Sequence, residues 1–314
     1  MCGRYASARK REELLAEFRI ERDRVTESLE PDYNVAPTKP VYAVLTRGSR
    51  GHDGSPPLDV ARELRVLRWG LVPSWAKDAS IGSRLINARA ETVDSKPAFR
   101  QAFTRRRCLL PADGFYEWQQ IREDGRVRKQ PYYIHPAGGG GLAFAGLYEI
   151  WRDKEYPEDH PAAWLWTSTI ITTRAEDTVG QIHDRMPMVI EPARWADWLD
   201  PANSDRADLM ALLAPAMSGG LASDPVSTAV NAVRNNGPAL IEPLATGPGG
   251  QVTGGQADAR SGTGPPAAGP AGPGVAASSR HHGAAGPPAG RAVAGRHPRD
   301  GDPHRPATAP LTLF

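Results

Sequence analysis

Hydrophobic positions along this chain repeat at two spacings, and each spacing predicts a different element. Leu14, Leu15 and Phe18 share one face at helical spacing, so Ser7 to Phe18 is expected to form a short amphipathic helix capped by Ser7. Val41 to Thr46 reads as a strand. Leu64 to Trp69 alternates apolar and polar residues up to Gly70, as a half-buried strand does. Between them, Arg47 to Pro57 (RGSRGHDGSPP) has the composition of a loop. Pro97 suits a helix start, with Phe99 and Phe103 four apart on one face. Further strands are expected at Cys108–Leu110, Pro131–His135, Leu142–Tyr148 and Ala163–Thr172. Short helices are expected at Thr173–Val179, at Pro192–Leu199 with Trp195, Trp198 and Leu199 facing the core, and from a Ser204 cap to Leu213. Strands dominate the middle without regular βαβ alternation. That pattern predicts an α+β fold, a mostly antiparallel sheet or barrel with short peripheral helices.

Composition changes the domain count. A chain of 314 residues suggests two domains at about 100–200 residues each. All eight tryptophans, however, lie between Trp69 and Trp198, and Ala245 to Thr312 contains no Phe, Trp or Tyr. That stretch of Gly, Ala and Pro has too few large apolar groups to offset the entropy of ordering it. The expectation is one folded domain, 1–244, and a disordered tail, 245–314.

A formal charge of +2 is nearly neutral, so nucleic-acid binding would need a local basic surface. Cys2 and Cys108 offer neither a disulfide framework nor metal-ligand spacing, which fits a reducing cytoplasm. No apolar run approaches the roughly 18 residues of a membrane span. The start, MCGRYASARKREE, lacks the apolar core of a signal peptide. A cytoplasmic protein with no membrane partner, metal or cofactor is expected. Trp69 is assigned to the core, Cys108 to an inert buried position, and the triplet Arg105 to Arg107 to a solvated face.

The first chemical signal is positional. Removing Met1 would leave Cys2 with a thiol and a free α-amine on one carbon skeleton. Unperturbed, such an amine titrates near 7.7–8.0 and the thiol near 8.5, so a minority of each is nucleophilic at neutral pH. The amine can condense with an aldehyde to an imine, and the thiol can then close a five-membered thiazolidine. A cysteine that merely falls second is the plain alternative. Three strings also place polar groups in apolar context: LINARAET with Asn87, DGFYEW with Glu117, and IHDRMP with His183. Taken singly, each also reads as packing.

Together with Cys2 these strings resemble the SOS response-associated peptidase (SRAP) family, the abasic-site processing proteins. The ordered resemblance runs from MCGRY through YNVAP, WGLVPSWA, INARAET, DGFYEW, KQPYYI and IHDRMP to VSTAVNAVRNNGPALIEP, stopping before the tail. It implies that Cys2, freed by autocatalytic loss of Met1, is the nucleophile towards the abasic sugar. Asn87 would orient the reacting sugar or chain start. Glu117 would help open the sugar to its aldehyde, and His183 would shuttle protons. Arg4, Arg89 and Arg185 would grip phosphates, and Trp75 and Trp118 would stack on bases. Asn34 and Thr172 match polar family positions near the site. The implied partner is single-stranded DNA carrying abasic sites, with replication-fork proteins as a further class. A monomer in the cytoplasm, near the nucleoid, is the simplest state.

Two other classes use some of the same residues. N-terminal-nucleophile glutaminases also begin Met-Cys-Gly and would turn Cys2 on an amide carbon. Their Thr-His-Gly string is absent, and the one Asn-Gly pair, Asn236-Gly237, falls inside a stretch already matched. A non-catalytic single-strand-binding module would keep the arginines and tryptophans without needing Cys2.

Overall fold

A computed structural model describes residues 2–49, 58–123, 125–214 and 220–245. The expected disordered tail, apart from Ala245, lies outside the described residues.

Among the described residues thirteen strands build two sheets. The first is antiparallel throughout and holds β1 (Tyr5–Ser7), β3 (Asp32–Val35), β8 (Gly114–Glu123), β9 (Arg126–Pro136) and β13 (Leu221–Pro225). Its order is β13-β9-β8-β1-β3. The second holds β2 (Arg22–Asp23), β4 (Pro40–Ser49), β5 (Leu58–Trp69), β7 (Arg107–Ala112), β10 (Leu142–Arg152), β11 (Trp164–Arg174) and β12 (Arg185–Pro187), with β6 (Asn87–Arg89) beside β11. Strand β5 also pairs with β11, Thr167 opposite Arg68 and Ser168 opposite Trp69. That pairing closes β11, β10, β7, β4 and β5 into a five-stranded barrel. Among the described residues five short α-helices, with several 3-10 turns, complete the α+β fold: α1 (Arg11–Glu17), α2 (Arg100–Arg105), α3 (Asp177–Ile182), α4 (Trp195–Leu199) and α5 (Arg206–Leu212).

The two-residue period of the strands sorts the core. Tyr42, Val44, Leu64, Leu109, Ala145, Leu147 and Ile171 pack against helix residues such as Leu14, Phe18, Phe103, Trp198 and Leu209. The alternate set, including Val41, Ala43, Leu45, Leu67, Trp69, Cys108 and Leu110, joins Cys2 and, from the first sheet, Tyr5 and Phe115. At about 1.5–3 kcal/mol per fully buried large apolar side chain, these two clusters supply the main driving force. Trp69 and Cys108 are both wholly buried in the second cluster.

Several boundaries differ from the sequence expectation, each for a local reason. Ser7 does not cap a helix: it closes β1 opposite Asp32, and the Asp113 carboxylate takes the next amide, of Ala8, at 2.6 Å. The helix begins only at Arg11. The loop expected from Arg47 starts later, because β4 continues to Ser49 with Arg47 opposite Ala61; residues 50–57 lie outside the described residues. Thr173 and Arg174 remain in β11, paired with Met186 and Arg185, so the helix after them starts at Asp177. Asp205, not Ser204, caps α5, accepting from the amides of Ala207 and Asp208.

The basic triplet Arg105 to Arg107 is not a uniformly solvated face. Arg107 is buried, 4% exposed. Its guanidinium donates to the carbonyl oxygens of Trp198 (2.8 Å), Phe103 (3.0 Å), Asn203 (3.0 Å) and Asp200. Burial pushes Arg107 down to about 10, so it stays charged at neutral pH. One side chain thereby ties β7 to α2 and to the end of α4. Arg107→Ala strands those carbonyls and should cost about 3–5 kcal/mol. In thermal unfolding that is a Tm fall of roughly 10 °C; a Tm equal to wild type would remove Arg107 from this bracing role.

Candidate active site

Strand pairing assembles the site. β1 lies against β8 with Tyr5 opposite Phe115 and Ala6 opposite Gly114, and the Tyr116 amide donates to the Arg4 carbonyl at 3.0 Å. The chain start is therefore drawn along β8 towards Glu117. The glycine of DGFYEW is sterically required: a Cβ on Gly114 would come within 2.6 Å of the Ile134 carbonyl oxygen on β9. On the other side, β6 runs parallel to β11, placing Asn87 opposite Ile170 and Arg89 opposite Thr172. Helix α3 ends at His183, whose amide donates to the Val179 carbonyl at 3.0 Å.

These elements bring Cys2, Asn87, Glu117 and His183 together. The Asn87 side-chain amide donates to the Cys2 carbonyl at 2.7 Å. The buried Asn87 Oδ1 has no hydrogen-bond partner among the described residues, leaving an acceptor for a reacting group. His183 Nε2 lies 3.9 Å from Glu117 Oε2. Cys2 is wholly buried, and burial pushes its thiol well above the usual range, with the Glu117 charge adding to the effect. Glu117 is 2% exposed, and burial pushes its carboxyl up to about 7, against the pull of the positive chain start. A carboxyl at that value is part acid and part base at neutral pH.

Burial also holds His183 below its ordinary value, so the ring is neutral near pH 7. Its Nδ1 accepts the Arg185 amide at 3.0 Å and lies 3.1 Å from the Asp184 carboxylate. The amide can only donate, and the Asp184 side chain is 86% exposed, where water screens it. Nδ1 also lies 3.3 Å from the Arg185 carbonyl oxygen, so its contacts suit either neutral tautomer, and Nε2 is the ring nitrogen on the Glu117 side.

The expected DNA-contacting residues divide into two groups. Trp75 is 60% exposed, Arg89 is exposed, and Trp118 is half-buried with its indole N–H on Asn231 Oδ1 at 2.7 Å. The others are engaged internally. Arg4 donates to Asn34 Oδ1 (2.7 Å) and to the Val230 carbonyl (2.8 Å). Asn34 is wholly buried, its amide holding the carbonyls of Val230, Ala232 and Asn235. Arg185 spends its fork on Glu91 (2.5 and 3.0 Å) and on the carbonyl of the buried Thr172 (2.6 Å). A phosphate reaching Arg185 would have to displace Glu91. Sequence reasoning gave Glu91 and Asn231 no role, although both lie in motifs it singled out.

Among the described residues no group of three or more His, Cys, Asp and Glu side chains is arranged to hold a metal ion, and no helix is long and apolar enough to cross a membrane.

Comparison with known proteins gives concordant matches. The family model for SOS response associated peptidase (SRAP) matches residues 1–233. The abasic site processing protein YoqW of Bacillus subtilis (strain 168) is 38% identical over 242 residues, spanning 77% of this chain and 99% of that protein. The abasic site processing protein HMCES of Gallus gallus is 35% identical over 240 residues, spanning 69% and 67% respectively. A crystal structure of a protein from Bacteroides thetaiotaomicron superposes with a TM-score of 0.62 at 25% identity, covering 78% of this chain and all of that one.

Proposed function

Because this chain belongs to the SOS response associated peptidase (SRAP) family, we propose that it processes abasic sites in single-stranded DNA by bonding the opened sugar to Cys2 after Met1 is removed. The observation that carries the reading is the 2.7 Å hydrogen bond from Asn87 to the Cys2 carbonyl, which fixes the chain start beside a carboxyl pushed up to about 7.

The chemistry divides into three steps. Opening the abasic hemiacetal removes the anomeric hydroxyl proton and delivers a proton to the ring oxygen, giving the aldehyde. Protonated Glu117 is the donor, and the hydroxyl proton passes to neutral His183, which returns it to the Glu117 carboxylate. The Cys2 α-amine then adds to the aldehyde carbon, and loss of water yields the imine, with neutral His183 relaying protons between Nε2 and Glu117. Last, the Cys2 sulfur bonds to the imine carbon while its proton passes to the nitrogen, closing the thiazolidine. A thiol held neutral by burial favours this order, because it is a poor first nucleophile but needs only to add across an adjacent C=N.

Arg89 is exposed on β6, two residues from Asn87, and is the arginine of the three family positions that is open to a phosphate. Arg89→Ala should weaken binding of undamaged single strands and lower the slope of log K against log salt by about 0.7. Anisotropy titrations at several salt concentrations measure this. A slope matching wild type would mean that Arg89 holds no phosphate. Intact-mass measurement tests the premise of the chemistry: the mature chain should lack Met1, and a preparation that keeps Met1 yet forms the crosslink would overturn the thiazolidine.

A further inference from the structure

We propose that the barrel mouth remote from Cys2 is a second contact surface for single-stranded nucleic acid, with arginines holding phosphates and Trp164 stacking on a base. The proposal rests on the function above and extends it to the strand beyond the lesion. Trp164 stands six positions along β11 before Ile170, which lies beside Asn87. At about 3.3 Å per residue this places the surface roughly 20 Å from the covalent site.

Two surface grooves meet there, sharing Arg47, Gly48 and Ile150. Six arginines line them (Arg22, Arg24, Arg47, Arg65, Arg105 and Arg106) against two carboxylates, Glu63 and Glu149. Both carboxylates are buried and already engaged: Glu63 with Arg65 at 2.7 Å and Arg24 at 3.5 Å, Glu149 with Arg106 at 2.6 Å. Arg22 pairs with Asp59. Among the described residues neither Arg47 nor Arg105 has a carboxylate partner.

The arrangement stores positive charge on an aromatic platform. The guanidinium groups of Arg47 and Arg65 both sit on the Trp166 ring, 5.0 and 4.2 Å from its centroid. Arg65 is held by Glu63, so among the described residues Arg47 is the cation on this ring open to a phosphate. Trp164, two residues along the same strand face, is 42% exposed and lines the groove. An arginine excess beside an exposed indole is the combination by which single-strand binders track a backbone and stack on bases. The exposed Trp75 lies at this same end of the barrel: Ser74 lines the second groove, and the Ala76 carbonyl accepts from the indole N–H of Trp151 at 2.8 Å, one residue before Arg152, which pairs with Trp164.

The test uses the full chain and two DNA probes: an undamaged strand of about 25 nucleotides, longer than one single-strand footprint, and a strand of about 6 carrying an abasic site. The double variant Arg24→Gln/Arg105→Gln should weaken binding of the long strand about tenfold or more and lower its salt slope by about 1.4. Trp164→Ala should weaken it about tenfold with little change in slope. Crosslinking of the short strand should match wild type for both variants. Long-strand affinity and slope equal to wild type in both variants would overturn the proposal, as would capture of an acidic peptide at this surface with DNA affinity unaltered. Should wild type fail to crosslink the short strand, the proposed function falls, while the long-strand comparison still decides this inference.

Discussion

Cys2→Ala is expected to reduce the denaturant-resistant complex with abasic single-stranded DNA to background, while non-covalent binding of undamaged DNA stays within about threefold of wild type. Prepared without Met1, the variant keeps the α-amine at position 2, so an imine still forms, but no thiol can add to it and the imine hydrolyses on denaturation. The side chain lies in an apolar cluster with Tyr5, Trp69 and Phe144. Trimming one sulfur there costs on the order of 1 kcal/mol, too little to unfold a domain of this size. The loss therefore reports chemistry and not folding. Borohydride supplies a second readout, since it should trap the Cys2→Ala imine as a stable amine. A variant that crosslinks as well as wild type without borohydride would remove the thiol from the mechanism. It would leave a binding module of the kind that needs only arginines and tryptophans.

Glu117→Gln should slow crosslink formation by about 10²–10⁴-fold, the range expected for loss of a positioned proton donor. The same change should stabilise the fold above neutral pH, and the sign follows from linkage. The Glu117 carboxyl is pushed by burial up to about 7 from an ordinary value of 4.5. Between those values the folded state holds a proton that the unfolded state has released. Stability therefore falls as pH rises through that window and stays lowered above it. Glutamine carries no titrating proton and avoids the loss, a gain of about 3 kcal/mol at pH 8, or a Tm rise of roughly 5–10 °C. Tm measured from pH 4 to 9 should show the two proteins converging at the acid end, separating as pH rises from about 4.5 to 7, and keeping a constant gap above that. Wild-type crosslinking, if the acid form of Glu117 opens the sugar, should decline over the same upper range. Parallel Tm curves would mean that the carboxyl titrates normally and is not held as a neutral acid.

That opposition of stability and activity explains why the site was only partly legible in the sequence. Periodicity located strands whose neighbours are apolar, such as β4, β5 and β10, because a buried face leaves a two-residue signature. It passed over β8, where Gly114, the buried Glu117 and the half-buried Trp118 interrupt that signature and carry the site instead. The short strands β1, β6 and β12 have only three residues each, too few for any period to show. Barrel closure through β5 and β11 depends on pairing across about 100 residues of chain and leaves no local mark.

The candidate site divides along the same line. Cys2, Asn87, Glu117 and His183 could be named from motifs, since each is a reactive or polar group set in apolar context. Which arginines are open could not. Arg185 is closed by Glu91, and Arg4 and Asn34 are turned inward to hold the segment around Val230, partnerships spanning 94, 226 and 196 residues. Arg107 shows the same limit: three consecutive arginines read as a solvated face until the carbonyls of Trp198, Asp200 and Asn203 are brought to them.

The central claim is most directly tested by mapping the adduct. Purified protein is mixed with an abasic single-stranded oligonucleotide, denatured without borohydride, digested, and the DNA-bearing peptide sequenced by mass spectrometry. A peptide that begins at Cys2 and carries the sugar remnant with loss of one water is the expected result. An adduct on a lysine, or on a chain that still begins with Met1, would contradict the account.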